Sequence, residues 1–107
     1  MFIDLCDALI FCHSGCGNGP SAVLLHRDVK PPNLLLRRSR RTGRLVGALG
    51  DFGISKLYPT GVGAVASTAT LYGTPGYIAP EVNDGDAPSP LSDAYSLGVT
   101  MMQVGLS

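Results

Sequence analysis

The last apolar stretch of this chain constrains its fold more than any other feature. Residues 91–106 read LSDAYSLGVTMMQVGL, with helical character and Ser92 or Asp93 placed to cap the start. Apolar side chains then fall on nearly every face: Ala94, Tyr95, Leu97, Val99, Met101, Met102, Val104 and Leu106. A helix apolar all round must be enclosed on all sides. Only Ser107 follows it. The other residues offer too little cover, so the 107 residues are expected to be part of a larger domain.

Composition narrows the choice further. The 14 Gly and 8 Pro are about a fifth of the chain, against roughly an eighth in average usage. Both residues break helix interiors, which disfavours a coiled coil or a regular bundle. The glycines have no three-residue period, which excludes collagen. A hydrophobic content of 45% is too high for a disordered chain.

The net charge of zero hides an asymmetry. Residues 1–44 carry seven basic and three acidic residues; residues 45–107 carry Lys56 against Asp51, Glu81, Asp84, Asp86 and Asp93. This is no global basic field, and no nucleic-acid partner is expected. Cys6, Cys12 and Cys16 are bunched at one end with His13, in a spacing that matches no usual zinc pattern. They read as ordinary reduced thiols of a cytoplasmic, intracellular protein. No apolar run is long enough to span a membrane. The apolar start lacks the basic flank of a signal peptide.

Along the chain, residues 2–13 (FIDLCDALIFCH) have helical spacing, with Asp4 and Asp7 towards the favourable N-terminal end. Residues 14–20 (SGCGNGP) are a loop, and 22–25 (AVLL) a short buried strand. Leu34–Leu36 and Leu45–Leu49 flank RRSRRTGR, which reads as a β-hairpin with a solvated arginine-rich tip. Residues 57–90, dense in Gly, Pro, Ser and Thr, read as one long irregular exposed segment.

Three clusters carry chemistry. His26-Arg27-Asp28-Val29-Lys30-Pro31-Pro32-Asn33 packs a carboxylate, an ammonium and a carboxamide into eight residues. A carboxylate orients a hydroxyl and accepts its proton, a lysine neutralises phosphoryl charge, and an asparagine oxygen is a hard ligand suited to magnesium. Asp51-Phe52-Gly53 places a carboxylate just after a strand. The third cluster is Gly73-Thr74-Pro75-Gly76-Tyr77-Ile78-Ala79-Pro80-Glu81.

Taken together and in order, these resemble the protein kinase family of the serine/threonine type. His26–Asn33 resembles the catalytic loop H-R-D-x-x-x-x-N, Asp51–Gly53 the D-F-G motif, and Ala79–Glu81 the A-P-E motif. Residues 92–98 are similar to the start of the family's central large-lobe helix. The resemblance implies an α+β fold, mainly the helical large lobe with a small β-hairpin near the catalytic loop. It implies ATP and Mg2+ as cofactors and a protein substrate phosphorylated on Ser or Thr hydroxyls. Asp28 is then the catalytic base, Lys30 contacts the γ-phosphate, and Asn33 and Asp51 hold magnesium. Thr74 bridges towards Asp28 and Lys30. Arg27 receives a regulatory phosphate on Ser67, Thr68 or Thr70. His26, Glu81 and Asp93 are structural.

Two decoys fall away. Gly61-Val62-Gly63-Ala64-Val65-Ala66 fits a dinucleotide pattern but lacks the strand and βαβ unit around it. Gly15–Gly19 lacks the Lys-Ser/Thr of a phosphate loop. The family also uses a glycine-rich loop and a lysine–glutamate pair ahead of the catalytic loop. Here no lysine precedes Lys30, and Glu81 is the only glutamate. Residues 1–107 are therefore expected to be a partial kinase domain, without the small lobe and the end of the large lobe. The alternative expectation is a catalytically inactive kinase-derived piece. Asn33 to Asp51 is also longer than usual for the family, with the excess in the arginine-rich tip.

Overall fold

A computed structural model describes residues 1–16, 22–59 and 73–106. Helix α1 (Phe2–His13) forms where its spacing predicts. Leu5, Leu9 and Cys12, at intervals of four and three, are its buried face, while Ile3, Ile10 and Phe11 point outwards. Strand β1 (Ala22–Leu25) follows. A single 3-10 turn over Pro31–Asn33 leads into the hairpin of β2 (Leu34–Arg38) and β3 (Leu45–Leu49). Strand β4 (Lys56–Pro59), the short helix α2 (Pro80–Asn83) and helix α3 (Pro90–Leu106) complete the order.

Two small antiparallel sheets result. In the hairpin, Leu34 pairs with Leu49 and Arg38 with Leu45. The other sheet pairs β1 with β4, Val23 against Tyr58 and Leu25 against Lys56. The core joins α1, the hairpin, the 26–33 segment and α3 through Leu5, Leu9, Val29, Leu49 and Leu97, with Phe2, Ala8, Leu34 and Met101 packed on it. The approach of α1 to β3 is close: a Cβ on Gly47 would lie 3.0 Å from the Met1 carbonyl oxygen and 3.2 Å from the Leu5 side chain. Gly47 N–H also donates to Asp4 Oδ2 at 3.1 Å, the main reason the Asp4 carboxyl titrates below its ordinary value.

Three expectations need correction. Residues 57–90 are not irregular throughout: β4 and α2 lie within or across that range. The lone strand β1 needs a partner for its backbone N–H and C=O groups, and Leu57-Tyr58 supplies one despite its Gly/Pro-rich surroundings. The cap of α3 is neither Ser92 nor Asp93 but Ser89. Ser89 N–H donates to Ser92 Oγ at 2.8 Å and Ser92 N–H to Ser89 Oγ at 3.3 Å, a reciprocal capping box, with Pro90 opening the helix. Finally, the buried stripe of α3 is largely polar: Ser92, Asp93, Ser96 and Thr100 surround Leu97, whereas Leu91, Tyr95 and Met102 are exposed. Its hydroxyls are satisfied, since Ser96 Oγ donates to the carbonyls of Ser92 and Tyr77, and Thr100 Oγ1 to Ser96 O at 2.8 Å.

No helix among the described residues is long and apolar enough to cross a membrane. No cluster of three or more His, Cys, Asp or Glu side chains suited to a metal forms among them either.

Candidate active site

The site is built outward from one buried carboxylate. Asp93, on the first turn of α3, is 2% exposed. Its Oδ2 accepts His26 N–H at 2.8 Å and its Oδ1 accepts Arg27 N–H at 2.9 Å. The bonds fix the backbone where β1 ends and the loop begins. Arg27 has φ +73°, a left-handed conformation uncommon for a side-chain-bearing residue, so the loop needs such an external hold.

His26 is fully buried and works as a strut. Its Nε2–H donates to Gly50 O at 2.8 Å and its Nδ1 accepts Asp28 N–H at 3.1 Å, which together specify one neutral tautomer. The ring also lies against Phe52, centroids 4.6 Å apart and planes tilted by 59°. One imidazole thus joins the 26–33 loop to the 50–52 turn. A second tie runs from Gly50 N–H to Asn33 O at 2.8 Å.

On this frame four side chains converge. Thr74 Oγ1–H donates to Asp28 Oδ1 at 2.8 Å, and Lys30 Nζ donates to Thr74 Oγ1 at 2.8 Å. Lys30 Nζ is also 3.6 Å from Asp28 Oδ2. Asn33 Nδ2 donates to the Asp28 backbone carbonyl at 2.8 Å and to its Oδ2 at 3.3 Å. The turn carrying Thr74 is held by α3, through Ser96 Oγ to Tyr77 O and through Tyr77 OH to Gln103 Oε1. Gly73, at φ +119°, lets that turn come close: a Cβ there would lie 3.2 Å from Arg27 O.

Asp51 stands apart from this group. It is exposed, has φ +49°, and among the described residues its Oδ1 accepts the nearby Gly53 N–H, at 3.2 Å. Glu81 lies on α2 and makes no ion pair among the described residues. Ser67, Thr68 and Thr70, and with them residues 61–66, lie outside the described residues.

One participant escaped the sequence reading. His13 Nε2 sits 2.9 Å from Asp93 Oδ2, so the end of α1 also grips the anchor carboxylate. Its sequence neighbourhood among cysteines raised only the question of a metal cluster, which their spacing did not support. The signal it did carry was a basic residue in a helix's last turn, which does not indicate a partner 80 positions away.

Chemically, the cluster presents a carboxylate oriented by three neighbours beside an ammonium group and a carboxamide. The sequence as a whole is similar to known proteins. The family model described as protein kinase domain matches residues 1–106. The L-type lectin-domain containing receptor kinase S.1 of Arabidopsis thaliana is 40% identical over 101 residues, covering 94% of this chain and 14% of that protein. The serine/threonine-protein kinase PknB of Mycobacterium tuberculosis is 36% identical over 101 residues, again 94% of this chain and 14% of the relative. U-box domain-containing protein 33 of Arabidopsis thaliana is 36% identical over 102 residues, 94% of this chain and 11% of that protein. The chain thus spans about a seventh of the length of the curated relatives it matches first. With the family model matched along nearly its whole length, this chain belongs to the protein kinase domain family.

Proposed function

We propose that residues 1–107 form the catalytic-loop and activation-segment part of a protein serine/threonine kinase, belonging to the large lobe. The observation that carries the reading is the Asp28–Thr74–Lys30 triangle, two hydrogen bonds closed by an ion pair and drawn from segments 44 to 46 positions apart. Asp28 orients the hydroxyl of a protein Ser or Thr and accepts its proton as that oxygen attacks phosphorus. Thr74 fixes one carboxylate oxygen and spaces Lys30 from Asp28. Lys30 neutralises charge on the transferring phosphoryl group. ATP with Mg2+ supplies that group and polarises it.

The residues fit such a metal. Asn33 commits its amide nitrogen to Asp28, leaving its oxygen as the ligand atom, and Asp51 offers an exposed carboxylate. Arg27 supports a regulatory role through a phosphate on Ser67, Thr68 or Thr70.

A second reading applies to the 107 residues by themselves. With no lysine before Lys30 and Glu81 the only glutamate, the family's lysine–glutamate pair cannot form within them. Phosphoryl transfer depends on positioning and charge neutralisation, so this polypeptide alone is expected to incorporate no phosphate. A graft separates the readings. Residues 1–106 replace the matching segment of the PknB kinase domain, and transfer from radiolabelled ATP to a protein substrate is measured. The graft is expected to transfer phosphate, and Asp28→Asn to lower the rate by about 10²–10⁴-fold. A folded, nucleotide-binding graft that is inactive with Asp28 intact, or indifferent to Asp28→Asn, overturns the assignment.

A further inference from the structure

The densest positive charge in the chain lies outside the site, at the tip of the β2–β3 hairpin. Residues 37–44 (RRSRRTGR) hold five of the eight Lys and Arg side chains and no carboxylate. All five arginines are exposed. None forms an ion pair among the described residues. Arg44 acts on Asp4 at longer range, but that carboxylate is already engaged by the Gly47 N–H and by the Met1 amine at 3.2 Å.

The tip is an ordered turn. Ser39 N–H donates to Arg44 O and Gly43 N–H to Ser39 O, both at 2.8 Å, with Gly43 at φ +71°. Arg38 Nη1 reaches across it to Gly43 O at 2.7 Å. Successive strand residues point to opposite faces, so Arg37 and Arg38 put charge on both sides of the hairpin. Arg40 and Arg41 occupy the turn itself. Leu45 pairs across from Arg38, on the same face, and is 48% exposed. At about 3.3 Å per residue, Arg38 lies roughly 17 Å along the strand from Asn33. The tip is thus the end of the hairpin away from Asn33 and Asp51.

We propose that this tip is a docking surface for an anionic phospholipid bilayer. Guanidinium forks bind phosphate oxygens in pairs. A peptide strand or a nucleic-acid duplex meets one face of a hairpin. A headgroup layer instead surrounds an inserted tip with phosphate, which matches charge directed to both faces and to the turn. Leu45 enters the boundary between headgroups and acyl chains and adds apolar area beside the charge. Such contact is peripheral and needs no membrane-spanning helix. It holds the chain from the end of the hairpin opposite the candidate active site.

The test mixes the 107-residue chain with vesicles of phosphatidylcholine, either pure or with about a third phosphatidylserine, and measures bound protein by cosedimentation. Binding is expected to require phosphatidylserine and to weaken as salt is raised. Arg40→Ser combined with Arg41→Ser is expected to weaken partitioning about 20-fold, near fivefold for each arginine. Leu45→Ser is expected to weaken it about threefold, at low and high salt alike. Lys56→Ser removes a cation outside the tip and is expected to leave it unchanged. Equal binding to both kinds of vesicle, an unchanged partition in the double arginine variant, or an equal loss in Lys56→Ser would each overturn the proposal. Tighter binding to polyglutamate or to an RNA duplex than to the anionic vesicles would also overturn it, by giving the tip a different partner.

Discussion

Residues 26–33 and 37–44 are both dense in charge, yet they are bonded in opposite ways. In the first segment the side-chain bonds reach far: Lys30 and Asp28 to Thr74, 44 and 46 positions on, and the His26 and Arg27 amides to Asp93, 67 and 66 positions on. In the second, five arginines within eight residues have no carboxylate among them. The bonds there stay within the hairpin: Arg38 Nη1 to Gly43 O at 2.7 Å, and Thr42 and Arg44 amides to Ser39 and Thr42 hydroxyls. None of these arginines makes an ion pair among the described residues. Charge in the sequence therefore says little by itself. What matters is whether the fold returns a distant complementary group to the same place.

The sharpest way to break this contrast is at the anchor. Asp93→Ala leaves the His26 and Arg27 amides and His13 without their acceptor. A loss of about 3–5 kcal/mol is expected, the scale for removing one partner of a buried charged network. Urea unfolding followed by circular dichroism checks it, and an unchanged midpoint would mean the loop holds itself.

A smaller effect is expected at Thr74→Val, which removes the hydroxyl between Asp28 and Lys30. Both charged groups are partly exposed, 17% and 24%, so screening reduces the cost to about 1 kcal/mol. Double-mutant cycles with Lys30→Met would read the coupling, and a coupling of zero would show that the triangle contributes no stability.

The smallest effect is expected in the tip. Arg40→Ser combined with Arg41→Ser should change stability by less than about 0.5 kcal/mol, as for surface positions without partners. A loss well above that would show that the arginines have bonds beyond their hairpin, and the contrast between the segments would fail.

Local signals made several elements readable. Helix α1 follows from the spacing of Leu5, Leu9 and Cys12, and the hairpin from two leucine-rich runs around a polar turn. The order of His26–Asn33, Asp51–Gly53 and Ala79–Glu81 pointed to the family, which the match over residues 1–106 establishes. Strand β4 was hidden because only Leu57 and Tyr58 favour a strand there, and because its partner β1 is more than thirty positions earlier. His13 was hidden for the same reason, its partner Asp93 being 80 positions away.

Helix α3 shows where sequence alone stops. The sequence determined that residues 91–106 form a helix and that its apolar side chains exceed what one face can bury, since both follow from propensity and pattern. Only the tertiary structure decided which face turns inward. The buried stripe is Ser92, Asp93, Ser96 and Thr100 around Leu97, while Leu91, Tyr95 and Met102 stay out. The physical reason lies in partners that no local pattern encodes. The loop's two amides, His13 and the Tyr77 carbonyl need polar groups at that spot, and an amide or carbonyl buried without a bond costs more than an exposed leucine.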